Sequence, residues 1–420
     1  MKHTTLSLLL ASLLVLTGVG NVKAAEEAKP KIEGKAAIVM DMDTGEIVYE
    51  NNIDGKQYPA STTKLLTGLL FAENKAKTDS IKYTESAKKQ EPYSLDKTLA
   101  FGKIKVGDSI VAQEVMDALL IFSANDSAYM IADSVSGDSS KFADLMNDRI
   151  NKLGLKNTHF LIPNGLHHQD HYTTPYDLGV IGMEAFKNQW VRETLSKKSS
   201  TITTAAGITM FIDTRNKLLD IDGCLGGKTG YTSKAGRTLV AFFDRNGRKL
   251  VGVVMNSVYD TKDTVVFEDM KKIIDWSYNA KTVNRHKAGD AVSTEILSYK
   301  PFRLFGPEKK IEVPVLIKED VKYFDNAINK SEAKEIVKVD KLDAWKLDGS
   351  SSVGTLTLTE RRAVKNFSLY TTISTKDIIK ENMPLYIGAG AAMLIFLALV
   401  LLTLLKIRSG RRRKSRRYYY

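Results

Sequence analysis

One cysteine, Cys224, serves all 420 residues, so no internal disulfide can staple this fold. A lone cysteine ahead of a strand is expected to be a small buried side chain. Acidic residues are missing from both ends. Of the formal net charge of +12, two charges sit in residues 1–24 and eight in residues 406–420, leaving two for everything between. That distribution argues against a nucleic-acid surface on the body of the protein. Charge of either sign is missing from residues 384–405, 22 residues that make about 33 Å of helix, enough to cross a bilayer.

The ends therefore read as address and anchor. Met1-Lys2-His3, the apolar run 6–16 and Val22-Lys23-Ala24 form a signal-peptide pattern over residues 1–24, with Ala25 opening the mature chain. Lys406, Arg408 and Arg411 begin a basic tail over residues 406–420, which the positive-inside rule places in the cytoplasm. The expectation is a single-pass protein of the cell membrane, its folded part on the extracytoplasmic face and tethered at the carboxyl end. With 43% apolar and 26% charged residues, that part can bury a full core and form more than one domain.

Three short motifs follow a hairpin signal between the ends. Ala36 to Asp41 and Glu46 to Tyr49 flank Asp43-Thr44-Gly45, a hairpin signal that predicts two edge strands. Directly afterwards, Ser61 and Lys64 open an apolar helical run through Leu65, Leu66, Leu69 and Leu70. Residues three apart share a helix face, so the hydroxyl and the amine can meet. Serine needs a base to take its proton, and a neutral lysine can serve if burial or a neighbouring cation lowers its pKa. The same spacing recurs at Ser86 and Lys89, at Ser94 and Lys97 and at Ser331 and Lys334, so the pattern alone decides nothing.

Residues 75–215 read as mostly helical, with Ser123-Ala124-Asn125 on a loop between two helices. Capping is the ordinary use of such a loop; a hydroxyl that passes a proton beside a carboxamide that holds an amide is the chemical one. The third pattern is Lys228-Thr229-Gly230-Tyr231. It is predicted on the first of two antiparallel strands meeting near Gly236, with Gly230 permitting close approach to the backbone, as a ligand would need. His167, His168 and His171 lack a further acid or histidine at a zinc-like spacing, so neither metal nor cofactor is expected.

Taken with Leu153 to Phe160, Asn164-Gly165-Leu166, His171 to Thr174 with Asp177, and Arg215-Asn216, these patterns resemble the low-molecular-mass penicillin-binding proteins, the membrane-anchored D-alanyl-D-alanine carboxypeptidases. The resemblance covers about residues 33–285. It implies an α+β fold of the β-lactamase and penicillin-binding-protein kind over residues 25–285, an antiparallel sheet with a helical subdomain. It also implies roles: Ser61 as acylated nucleophile, Lys64 as its base, Ser123 and Asn125 as proton relay and amide holder, and Lys228, Thr229 and Arg215 as receivers of a terminal carboxylate. Gly230 and Tyr231 complete the substrate wall, with the Ser61 and Tyr231 N–H groups as oxyanion hole. A cation at Lys228 is further expected to disfavour protonation of Lys64. The implied partners are peptidoglycan stem peptides and β-lactam antibiotics.

Alternation at 311–316, 335–339 and 354–358 predicts a small all-β domain over residues 286–380, read as a stalk below the active domain. Three other readings share the motifs. A D,D-transpeptidase differs only in the acyl acceptor. A β-lactamase commonly has a Glu-x-x-Leu-Asn deacylation loop, and none lies between Asn125 and Lys228. A catalytically dead wall-binding protein does not need Ser61, Lys64, Ser123 and Lys228 together.

Overall fold

The computed structural model describes residues 28–90 and 93–415. The segment read as a signal peptide and the last five residues of the basic tail lie outside them. A five-stranded antiparallel sheet runs in the order Ile47–Asn51, Ala36–Asp41, Arg248–Ser257, Gly236–Arg245, Cys224–Thr232. Only the second strand of the predicted hairpin, Ile47–Asn51, is an edge. Ala36–Asp41 is interior, because residues some 210 positions later pair with its other side, a partnership no local signal announces.

Every residue of Ala36–Asp41 is buried, and alternation across the pleat explains it. Ile38 and Met40 face the core of a helical lobe, while Ala37 and Val39 face the helix Val265–Asn279 through Phe267, Met270 and Ile274. Covered on both faces, the sheet is a rigid wall. On the lobe side the helix Pro175–Lys187 lies directly on it, and the helix Lys64–Asn74 sits behind, buried from Lys64 through Phe71.

The lobe is less purely helical than its sequence suggests. Ser80–Lys82 pairs with Ser109–Val111, and Ser199–Thr203 with Thr209–Asp213. In the second ribbon Ile202, Met210 and Ile212 point inward while Phe211 stays exposed, the period-2 pattern of a half-buried hairpin.

Beyond residue 285 a second five-stranded sheet runs Ala291–Tyr299, Lys309–Ile317, Ala363–Tyr370, Gly354–Glu360, Lys334–Val339, around its own core of Val315, Ile317, Leu356, Leu358 and Leu369. The three predicted strands lie within it. The helices Ala327–Glu332 and Thr375–Glu381 depart from a purely β reading; Asn326 caps the first and Ser374 with Asp377 forms a capping box on the second. We propose the division near residue 286 as a domain boundary. Arg361 crosses it, bound to both Asp54 oxygens and both Glu332 oxygens, with its guanidinium 4.6 Å from the Tyr176 ring centroid. Asn326 and Asn329 add bonds of 2.9 Å to the Ile47 carbonyl.

Among the described residues one helix is long and apolar enough to cross a membrane, Met383–Arg411, and none of its apolar window is buried in the protein.

Replacing Arg361 with Ala is expected to loosen the two sheets, at roughly 1–2 kcal/mol because Asp54 is half exposed. Limited proteolysis of the full chain should then cut faster in the turn at 287–290; an unchanged rate would show that the apolar contacts hold the sheets together without it.

Candidate active site

Ser61 lies in a single 3-10 turn, Ala60–Thr63, that runs straight into Lys64–Asn74. Ala60, just before it, has a φ of 49°, an uncommon conformation for a residue with a Cβ. Two contacts hold this turn. A Cβ on Gly165 would come 2.0 Å from the Ala60 carbonyl oxygen, and one on Gly230 would come 2.9 Å from the Ser61 nitrogen. Gly230 thus admits the protein's own serine turn, not only a ligand. The Asn164-Gly165 loop and the Cys224–Thr232 strand clamp Ser61 from two sides.

The Lys64 amine is fully buried and touches three oxygens: Ser61 Oγ at 3.0 Å, Asn125 Oδ1 at 2.9 Å and the Asn164 carbonyl at 2.7 Å. Burial lowers its pKa to about 7, against a smaller opposing pull from Asp126. Of the two causes expected, burial acts at Lys64, while the repulsion between the two lysines falls on Lys228. Lys228 is itself buried, and its pKa lies well below the usual value through burial first and then through repulsion from Lys64, Arg215 and Arg237. Its amine donates to Ser123 Oγ at 2.8 Å and to the Thr229 carbonyl at 2.9 Å.

Ser123 takes the left-handed conformation, φ 78°, between the helical turn Ala118–Phe122 and the helix Asn125–Ser136. Neither Ser123 nor Asn125 caps that helix; Ala124 occupies the cap position. The loop is fixed from below by Asp126, whose carboxylate accepts from Leu95 N at 2.9 Å, Asp96 N at 3.1 Å and Tyr83 Oη at 3.2 Å.

A cavity of about 150 Å³ opens beside these groups. Ser61, Ser123, Asn125, Arg215, Thr229, Gly230 and Tyr231 line it, so all the sequence-derived residues converge here, the two lysines lying just behind the wall. Arg215 donates from Nε to the Phe122 carbonyl at 3.0 Å and lies over the Tyr93 and Phe122 rings. Sequence reasoning missed Tyr93, Tyr259 and the Arg237–Asp263 ion pair at the same mouth, and named Leu166 only as part of a family-like segment. It also gave no role to Asn164, although a glycine directly after that asparagine was a signal for close packing.

The histidines divide. His167 packs edge-on against Tyr58, while His171 is buried and stacked on Phe160. His171 Nδ1 accepts from Leu161 N at 3.0 Å, so Nε2 carries the proton and donates to Thr63 Oγ1 at 2.9 Å. Both nitrogens are spent, one on the serine turn and the other on the backbone at Leu161. Among the described residues no group of three or more His, Cys, Asp or Glu side chains is placed to hold a metal.

Two buried lysines, two hydroxyls and a carboxamide around one cavity form the arrangement that serine acyl transfer requires. The profile of the D-alanyl-D-alanine carboxypeptidase family matches residues 22–258. The chain belongs to this family. It is 28% identical over 258 residues to D-alanyl-D-alanine carboxypeptidase DacF of Bacillus subtilis, covering 60% of this chain and 66% of that one. To DacA of Escherichia coli it is 29% identical over 288 residues, 66% of this chain and 68% of the relative. The chain thus spans about two thirds of these relatives' length. Among solved structures, a D-alanyl-D-alanine carboxypeptidase of Mycobacterium tuberculosis matches with a TM-score of 0.56 at 26% identity, covering 61% of this chain and 96% of that one. A mutant of a Streptomyces DD-transpeptidase matches with 0.54 at 28%, covering 60% and 100%. Family membership accords with the penicillin-binding-protein fold, and makes the protein an enzyme of the serine peptidase class.

Burial pushes the His171 pKa from 6.5 down to about 3, so the folded protein keeps it neutral while the unfolded chain takes up a proton from pH 6.5 downward. Its contribution is whole above 6.5 and is lost progressively toward 3. Urea midpoints should therefore fall on acidification, and His171→Gln should be less stable at neutral pH but show a shallower fall. Parallel slopes for the two proteins would remove His171 from this role.

Proposed function

We propose that the protein is a serine-type D-Ala-D-Ala carboxypeptidase that trims peptidoglycan stem peptides through an acyl-enzyme on Ser61, and that β-lactams acylate the same serine. The observation that carries this reading is the contact set of Lys64. Asn125 Oδ1 and the Asn164 carbonyl only accept, so each takes one N–H of the amine. A neutral amine has two N–H groups and one lone pair. The remaining direction faces Ser61 Oγ at 3.0 Å, where the lone pair can accept the hydroxyl proton. Burial makes that neutral form available near pH 7.

In the reaction, the terminal carboxylate of the peptide lies toward Arg215, Thr229 and Lys228, the cationic end of the cavity. Cys224–Thr232 is an edge strand, so its free side can pair with an extended peptide. Ser61 Oγ bonds to the carbonyl carbon as Lys64 takes its proton, and the negative charge on the carbonyl oxygen is held by the Ser61 and Tyr231 N–H groups. The C–N bond then breaks. The proton that Lys64 took is handed on through Ser123, hydrogen-bonded to Lys228, to the departing D-alanine amine, so Lys64 is neutral again and Ser123 keeps its hydroxyl, while Asn125 steadies the amide of the acyl portion. Water attacks the ester, Lys64 takes its proton, and the acid product leaves as Ser61 is restored. A transpeptidase uses the same first half with an amine in place of water; the Streptomyces neighbour is named for that reaction.

The folded part is proposed to work outside the cell membrane, with the helix Met383–Arg411 as its anchor and the basic tail inside.

Acylation by a fluorescent penicillin should rise with pH and level off above an apparent pKa of about 7, because the neutral amine is the active form. Lys64→Arg keeps the charge but cannot release a proton, and should slow acylation about 10²–10⁴-fold. Ser61→Ala should abolish labelling while the melting profile survives. Labelling retained by Ser61→Ala would move the nucleophile elsewhere.

A further inference from the structure

The hairpin between Ala291–Tyr299 and Lys309–Ile317 ends in Lys300-Pro301-Phe302-Arg303-Leu304-Phe305-Gly306-Pro307. Its tip presents two large apolar side chains to solvent, Leu304 at 83% and Phe305 at 66% exposure. The tip is ordered from within: Phe302 N donates to the Phe305 carbonyl at 3.3 Å, Arg303 N to the Lys300 carbonyl at 2.9 Å, and the two phenylalanine rings stack at 5.0 Å. Exposed apolar groups on a built turn call for a partner.

The turn is fastened to the start of the apolar helix. Tyr386 Oη donates to the Pro301 carbonyl at 2.7 Å, and its ring meets Phe302 edge-on at 5.4 Å. Asn382, buried at the helix junction, donates to Tyr299 Oη at 2.8 Å and accepts from Lys309 Nζ at 2.7 Å. The helix therefore leaves the second sheet from a fixed seat. Depth follows from length: the hydrocarbon layer takes about 20 helical residues, or about 30 Å, and counting that many back from Lys406, the first charge, ends at Tyr386. Tyr386 thus falls at the lipid–water boundary, where tyrosines concentrate, and it holds the tip at the same level. Within residues 300–310 four cations, Lys300, Arg303, Lys309 and Lys310, face one acid, Glu308, as suits a phosphate-bearing surface.

We infer that the 300–307 turn is a second membrane contact, with Leu304 and Phe305 inserted among the headgroups of the outer leaflet and Lys300 and Arg303 on lipid phosphates. The inference rests on the helix Met383–Arg411 being a membrane anchor. Two points of attachment fix the tilt of the second sheet, and through Arg361 they fix the orientation of the cavity above the membrane.

The test uses the full chain reconstituted in phosphatidylethanolamine–phosphatidylglycerol vesicles. A polarity-sensitive dye is placed on Leu304→Cys and, separately, on Phe305→Cys; Cys224 is buried and does not compete. A dye on Phe211→Cys, 77% exposed on the lobe ribbon, is the control. Blue-shifted emission at 304 and 305, quenched by brominated lipid, with neither change at 211, is expected. Protein that floats with the vesicles but keeps unquenched dye at 304 and 305 would overturn the inference and leave the anchor standing. Protein that fails to float would overturn both.

Discussion

Everything at the cavity depends on an amine kept out of water. Among the described residues no carboxylate touches the Lys64 amine, only neutral oxygens, and the side chain is fully buried. In such a place the charged form is costly, and the neutral amine becomes available at ordinary pH. Several separate features serve that one condition. The Asn164 carbonyl is brought in by a loop whose glycine tolerates no Cβ, Asn125 by a loop that Asp126 braces, and Ser61 by a turn that His171 ties through Thr63.

A second buried lysine sharpens the arrangement. Lys228 approaches from the rigid sheet, while Lys64, Ser123 and Asn125 belong to the helical lobe, so the cavity is a seam between two differently built bodies. Arg215 and Arg237 bring positive charge to it, and the one carboxylate lining the mouth among the described residues, Asp263, is already paired with Arg237. An anion entering this seam meets Arg215 and the Lys228 amine, with no competing acid between them among the described residues, which suits a substrate that ends in a carboxylate.

Much of this was legible from residue order. Ser61 with Lys64, the Ser123 loop and the Lys228 strand were each found by local pattern, because hydroxyl, amine and glycine must sit at fixed short spacings. Arg215 and the residue-by-residue roles came with the family resemblance. What stayed hidden is long-range. Asn164 contributes a backbone carbonyl, which no side-chain code reveals, and Arg237, Tyr259 and Asp263 reach the mouth only through strand register and the following loop. The interior position of Ala36–Asp41 depends on pairing with Arg248–Ser257, and the Arg361–Asp54 link joins residues 307 positions apart. The cause of the depressed Lys64 pKa also required burial, which periodicity suggests but does not measure.

The most direct test of this account is the titration of Lys64 itself. With lysine side chains isotopically labelled and the signal assigned by comparison with Lys64→Arg, its chemical shift can be followed against pH by NMR in the ligand-free protein. The account predicts a midpoint near 7, the value burial imposes. A midpoint near 10.5, the ordinary lysine value, would mean that the amine stays charged at working pH and that another group must take the serine proton.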